Sequence, residues 1–255
     1  MPIEIFTIPC LHDNYAYIIH DTKTNKNSLI DAPEAKPIQS FLEKKKWNLE
    51  YILITHHHSD HIDGIKELSR LFNSKIIGAQ NDKKRLPPLD KGVAKGDILT
   101  IGSLEFKILE VPGHTIGHVA YYCAAEGVIF TGDSLMSLGC GRLFEGSPTE
   151  MYNSLKEISE LPDEILIYSG HEYALNNARF ALSIEKNNQA LKEKFNLIRD
   201  NIQKQIPNVP TSLSEEKETN PFLRAHVLEI KKSLDMTSKN DEAVFTELRR
   251  LKDNF

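Results

Sequence analysis

The 255-residue chain is poor in cysteine, has no long apolar run and carries no surplus of positive charge. Its three cysteines, Cys10, Cys123 and Cys140, are odd in number and far apart. They cannot make a disulfide framework, and a reducing cytoplasmic setting is expected. No segment approaches the ~18–20 apolar residues of a membrane helix. Met1–Cys10 lacks the basic region and apolar core of a signal peptide. No membrane partner is therefore expected. Asn-x-Ser/Thr sequons are absent. Lys plus Arg total 31 against 36 Asp plus Glu, a formal charge of −5. That balance speaks against a nucleic-acid binder working through a broad basic face. One residue type is plentiful instead: there are 10 histidines.

The first two thirds of the chain alternate short apolar runs with turn signals. Residues 3–8, 15–19 and 28–30 read as strands. Residues 51–55 form a continuous apolar run, as expected of a strand buried on both faces. A helix is predicted where Ile62, Ile65, Leu68 and Phe72 recur at helical spacing. Further strands are predicted over 75–78, 104–111, 118–123, 128–131 and 164–169. Ser147-Pro148-Thr149-Glu150 is a capping box with Pro at the first helical position, so a helix should run to about Leu161. From 174 to 206 the pattern is helical, and the chain closes on two more helical segments, the second capped at Asn240. The expected organisation is a β-rich metal-binding domain over 1–172 and a smaller helical domain over 173–255.

Four imidazoles and a carboxylate occupy six positions, His56-His57-His58-Ser59-Asp60-His61, directly after the strand 51–55. Histidine is the commonest metal ligand, and imidazole with carboxylate suits zinc, iron or manganese. In extended backbone His56 and His58 share a side. Asp60 and His61 lie at the turn into the following helix and can face a second ion. The other strands end alike: 104–111 in Pro112-Gly113-His114, 128–131 in Gly132-Asp133, 164–169 in Gly170-His171. The ligand set is then His56, His58, Asp60, His61, His114, Asp133 and His171. Two metals with three ligands each need six, and Asp133 is the natural bridge. No cysteine enters, which points away from a closed structural zinc site. His57 and His118 are expected to support the ligands, Asp63 is a candidate for the same role, and Cys140 either lines a pocket or fills a buried space.

These residues resemble the metallo-β-lactamase superfamily, whose hallmark is His-x-His-x-Asp-His followed by a His, an Asp and a His. The resemblance implies an α/β fold, an αββα sandwich with a binuclear site at one edge. Other segments are similar to one of its families, glyoxalase II. They are Ile8-Pro9-Cys10-Leu11-His12-Asp13-Asn14-Tyr15, the 139–146 run Gly-Cys-Gly-Arg-Leu-Phe-Glu-Gly, Gly170-His171-Glu172-Tyr173 and Asn220-Pro221-Phe222-Leu223-Arg224. The terminal run 248–255, Leu-Arg-Arg-Leu-Lys-Asp-Asn-Phe, belongs with them. The resemblance places the first metal on His56, His58 and His114 and the second on Asp60, His61 and His171, with Asp133 bridging. It places glutathione contacts at Arg142, Phe144, Tyr173, Arg249 and Lys252. Some relatives have Lys at position 142 and Tyr at 144; Phe144 has no hydroxyl to donate.

The activity so implied is hydrolysis of S-D-lactoylglutathione to D-lactate and glutathione by a hydroxide held between two divalent ions, with zinc the expected metal. Asp60 would orient that hydroxide. The partner is a small glutathione thioester, and a monomer is expected. Other activities of the superfamily, an iron-dependent persulfide dioxygenase or a lactonase among them, are the alternative reading.

Overall fold

The computed structural model describes residues 3–255. The chain forms two compact units. One comprises the residues up to Glu110 with Gly117–Gly132, the other Val111–Ile116 with Asp133–Phe255.

The first unit contains two sheets. Strands β1 (Ile3–Cys10), β2 (Asn14–Asp21) and β3 (Lys26–Ile30) form an antiparallel meander. Beside β3 run β4 (Tyr51–Leu53), β5 (Lys75–Ala79) and β6 (Lys91–Val93), all parallel. Helices α1 (Ala35–Lys45), α2 (Ser59–Ile62) and α3 (Ile65–Phe72) lie in the crossovers. Ile38 and Leu42 of α1 and Ile65 and Leu68 of α3 share one buried cluster with Ile18, Leu29, Ile52 and Ile76. The sheet is covered on that side, which is why its central strands read as unbroken apolar runs.

The second sheet of this unit contains β7 (Ile98–Ile101), β8 (Leu104–Glu110), β9 (Val119–Cys123) and β10 (Val128–Gly132), joined antiparallel. In β8, Leu104, Phe106 and Ile108 point inward and alternate with Glu105 and Lys107. The two sheets meet face to face. The Tyr17 and Phe130 ring centroids are 5.6 Å apart, and Tyr121 Oη donates to the Ile54 carbonyl at 2.8 Å. The layering is thus helix, sheet, sheet.

Two local departures from the sequence reading have physical causes. The strand expected over 51–55 ends at Leu53, because Thr55 N turns to donate to Asp31 Oδ1 at 2.8 Å. The helix expected through 62–72 is split at Asp63-Gly64. Gly64 N donates to Ala32 O at 2.9 Å, and a Cβ on Gly64 would stand 2.7 Å from the Glu34 carbonyl carbon. Only glycine lets the chain approach that closely.

The second unit contains the short hairpin β11 (Leu135–Met136) and β12 (Gly139–Cys140), α4 (Pro148–Ser159), β13 (Leu166–Ser169), α5 (Ala174–Ile184) and α6 (Gln189–Gln203). β14 (Thr211–Ser212), α7 (Leu213–Thr219), α8 (Leu228–Ser233) and α9 (Asp241–Asp253) follow. The capping box at α4 is present, with Ser147 Oγ accepting from Glu150 N. Asn240 caps α9 as expected, accepting from Ala243 N at 2.9 Å. The helical stretch 174–206 breaks at 185–188, where Asn188 accepts from Leu191 N and starts α6 anew. Leu138, Ala174, Ala178, Ala181, Leu191 and Ile198 form one apolar cluster. Phe222 stacks on Phe180 and meets Phe245 edge-on. Among the described residues, no helix is long and apolar enough to cross a membrane.

Phe130 is fully buried between the two sheets of the first unit. Phe130→Ala is expected to lower stability by about 3–5 kcal/mol in a denaturant titration; a loss under about 1 kcal/mol would contradict that packing.

Candidate functional site

The histidine cluster of the first unit is built on strand ends. β4 delivers Thr55 and His56, the turn after it carries His57 and His58, and α2 carries Asp60 and His61. The His56 ring centroid lies 4.7 Å from that of His58 and 4.2 Å from that of His61. His56 and His61 are buried. Asn14, at the start of β2, donates from Nδ2 to Asp60 Oδ2 at 3.1 Å and to Asp60 O at 2.9 Å.

Asp31, which the sequence reading passed over, organises this group. It ends β3, is buried, and takes a left-handed backbone with φ +54°. Its Oδ1 accepts from Thr55 N at 2.8 Å. Its Oδ2 accepts from Thr55 Oγ1 at 2.7 Å and lies 2.8 Å from His61 Nδ1. A carboxylate only accepts, so His61 Nδ1 carries the proton and Nε2 keeps its lone pair. The Thr55 hydroxyl spends its hydrogen on Asp31 and accepts from His56 Nδ1 at 3.0 Å. His56 is thereby set in the same tautomer. Asp31, His56 and His61 together have the composition of a metal-holding group. Because both Asp31 oxygens are engaged with Thr55 and His61, we assign Asp31 to orienting the ligands. The sequence signal was there: an Asp directly after a strand, as at Asp133.

Two further histidines of this unit border the cluster, His118 and His57. The His118 ring stacks on His56, centroids 4.6 Å apart. His57 Nδ1 meets Asp82 Oδ2 at 3.1 Å, with Arg85 Nε on the other Asp82 oxygen. Asp63 is exposed at the end of α2 and touches none of the cluster through any described contact.

The second unit presents its own set. His114 Nε2 is 3.4 Å and His171 Nε2 3.2 Å from Asp133 Oδ2. All three are buried. The Asp133 carboxylate thus lies within reach of both imidazoles. His114 Nδ1 lies 2.7 Å from the Arg142 carbonyl, an acceptor only, so its Nε2 also keeps the lone pair. Gly141 is required there, since a Cβ would stand 2.0 Å from the Asp133 carbonyl oxygen. In each unit taken by itself the donor types, imidazole nitrogens with carboxylate oxygens, suit divalent metal ions, and His56, His61 and His114 have their second nitrogens held by oxygen atoms.

The expected substrate residues all lie in this second unit. The Tyr173 ring stacks on His171 at 4.6 Å and 10°. Phe144 meets His114 edge-on at 5.3 Å and is 63% exposed. Arg142 is exposed, its Nε 3.8 Å from Asp253 Oδ1. Arg249 is buried: Nη1 donates to Cys140 O at 2.9 Å, and Nε and Nη2 fork onto Asp253 Oδ1 at 3.0 and 2.7 Å. Lys252 Nζ donates to Asn176 O at 3.3 Å and sits over the Phe180 and Phe255 rings. Burial, and then the positive charges of Arg249 and Arg142, bring its ammonium down to about 8. Cys140 is buried with its sulfur 3.7 Å from Arg249 Nη1, and burial pushes its thiol up. Asp253, the shared carboxylate of this cationic group, was not anticipated. It sits four residues from Arg249 on the same helix, a spacing that could have flagged it.

Residues 12–171 match the metallo-beta-lactamase superfamily and define the class of protein: a metallo-beta-lactamase fold followed by a helical C-terminal part. Residues 172–255 match the hydroxyacylglutathione hydrolase C-terminus. The chain is 49% identical to the hydroxyacylglutathione hydrolase of Ruegeria pomeroyi and 48% identical to that of Cereibacter sphaeroides, in each case over the whole of both chains. It belongs to the hydroxyacylglutathione hydrolase family. Among solved structures, ETHE1 from Myxococcus xanthus superposes with a TM-score of 0.69 at 25% identity, covering 98% of this chain and 90% of that one.

Asp31→Asn keeps the shape but leaves an NH2 facing donors. It is expected to weaken metal retention about 10–100-fold in a chelator competition while the protein still folds. Unchanged retention would remove Asp31 from its orienting role.

Proposed function

We propose that this chain is a metal-dependent thioester hydrolase that converts S-D-lactoylglutathione and water to D-lactate and glutathione. The observation that carries the reading is whole-chain identity of 48–49% with relatives of that name, together with ligand-type side chains at each strand end. The first ion would be held by His56, His58 and His114 and the second by Asp60, His61 and His171, with Asp133 available to both. Zinc is the proposed metal, although the same ligands accept iron or manganese.

Two bound divalent ions would supply Lewis-acid polarisation of the thioester carbonyl and a bound water whose pKa is lowered to about 7. The side chains divide the remaining work. Asp60, held by Asn14, orients the attacking water through its carboxylate. Asp31 and the Arg142 carbonyl keep His56, His61 and His114 in the ligating tautomer. Arg142 and Lys252 bind the glutathione carboxylates. Arg249 adds positive charge beside them from its buried position and fixes the Cys140 carbonyl. Phe144 offers an apolar face in place of a hydroxyl, and Tyr173 packs the His171 ring. The leaving group is a thiolate whose thiol has a pKa near 8.5, so its departure needs no strong acid. A glutathione thioester as partner, no nucleic acid and a cytoplasmic location complete the reading.

The test is turnover of S-D-lactoylglutathione by metal-analysed protein, with oxygen uptake on glutathione persulfide followed in parallel. Thioester hydrolysis that stops on chelation is expected; oxygen uptake without hydrolysis would overturn the reading. Asp133→Ala should lose bound metal and activity together, and retention of both ions would sink the bridging assignment.

A pH prediction follows from Lys252. Its ammonium is charged below about 8 and neutral above. The KM for the thioester should therefore be flat below pH 8 and rise above it. Lys252→Met should raise KM and abolish that rise; a persistent rise would assign it to another group.

A further inference from the structure

The loop between Asp133 and Arg142 is clamped from the helices by Asn177, Asn220 and Glu216, which the reaction itself does not use, and by Arg249. Its hairpin, β11 and β12, is two residues long on each strand and turns through Ser137-Leu138. Leu138 is fully buried with φ +55°, an unfavourable backbone for a branched side chain. So short a ladder cannot hold such a turn alone. The backbone bonds of the turn go to three helices. Asn177 of α5 donates to Ser137 O at 3.0 Å. Asn220, after α7, donates from Nδ2 to Gly139 O at 3.0 Å and Met136 O at 3.3 Å. Arg249 of α9 holds Cys140 O.

The remaining bond is the unusual one. Leu138 N donates to Glu216 Oε2 of α7 at 2.8 Å, and the same oxygen accepts from Asn220 Nδ2 at 2.8 Å. Glu216 is fully buried. A carboxylate in that position is costly to the fold, and a neutral amide would fill the space as well. What the charge adds is a stronger bond to the turn, since an ionised acceptor binds N–H about twice as strongly as a neutral one.

The consequence reaches the site at both ends of the loop. One limb begins at Asp133; the other leaves through Gly141, whose N donates to Ser134 O at 3.1 Å, into Arg142 and Phe144. Arg142 and Phe144 have exposed side chains, so the backbone beneath them sets where they stand. We propose that Glu216 is a positioning residue for substrate binding: its buried carboxylate, with Asn220, locks the Ser137–Leu138 turn and so fixes the limb that presents Arg142 and Phe144 to the glutathione part of the substrate. This rests on the thioester-hydrolase reading above.

Burial raises the Glu216 carboxyl to about 7 from an ordinary 4.5, against the lowering effect of Asn220, Leu138 N, Thr211 and the Lys194 ammonium of α6. The folded chain thus holds this proton more tightly than the unfolded one. Stability contributed by the group falls as pH rises from about 4.5 to about 7 and stays lower above. A stabilising role and a positioning role therefore predict opposite things at pH 8.

Glu216→Gln separates them. In two-metal protein at pH 8, the KM for S-D-lactoylglutathione should rise about three- to tenfold with kcat within about twofold. Glutathione binding by calorimetry should weaken to match. Hydrogen exchange at the Leu138 amide should quicken, while the midpoint of thermal unfolding at pH 8 stays level or rises relative to wild type, and rises more than at pH 5. Wild-type KM and wild-type exchange at Leu138 in the variant would overturn the proposal. So would a lowered midpoint at pH 8 with exchange quickened throughout the chain, which is the mark of a structural residue. If wild-type protein fails to hydrolyse the thioester, the functional reading fails, and exchange at Leu138 still reports whether Glu216 locks the turn.

Discussion

The Asp31 carboxylate receives hydrogen bonds from Thr55 N, Thr55 Oγ1 and His61 Nδ1, and through the Thr55 hydroxyl it also determines the proton on His56. One buried carboxylate thus decides which nitrogen of two imidazoles keeps its lone pair. The same charge ends β4 early, because Thr55 leaves the strand ladder to reach it. Ligand chemistry and strand length at this edge are one constraint, and the left-handed backbone of Asp31 is part of its cost. At His114 a main-chain carbonyl, that of Arg142, does the same work. A carbonyl cannot titrate, but it moves with its loop, so the second unit needs a rigid loop where the first needs a rigid carboxylate.

That need explains why the second unit commits so many buried polar groups to a hairpin of two residues per strand. Asn177, Asn220, Glu216 and Arg249 are all buried, and each spends hydrogen bonds on main chain between Met136 and Cys140. Apolar residues of similar size would pack more cheaply. Buried polar groups whose bonds are directed onto one turn are costly in stability and specific in geometry. The helical part is thus more than a platform for the cations of its last helix.

The histidine cluster was legible because few structural needs put four imidazoles and a carboxylate in six positions. The caps at Ser147 and Asn240 were legible because they are local: the side chain and the amide it accepts from are three residues apart. Asp31 was not, since its partners are 24 and 30 residues away and a single Asp after a strand also reads as a turn. Arg249 was expected only as a glutathione contact, by resemblance. Its burial follows from Cys140, 109 residues earlier, which no helical pattern contains. The break at Gly64 was hidden for a related reason: the apolar spacing continues through it, and the backbone that forbids a Cβ belongs to residues 32–35.

The charge distribution has the same character. The chain is acidic by five charges, yet Arg142, Arg249 and Lys252 gather at one place with Asp253 as their shared counter-charge. Opposite charges on a surface usually pair off and leave little field. Here Asp253 is taken up by the buried Arg249 fork, and Arg142 reaches it only at 3.8 Å. The surplus positive potential appears in Lys252, whose proton is loosened by its neighbours as well as by burial. An arriving carboxylate relieves that repulsion and tightens the proton again. Binding an anion should therefore draw a proton onto the enzyme near pH 8, so affinity and protonation at this cluster are linked from both directions.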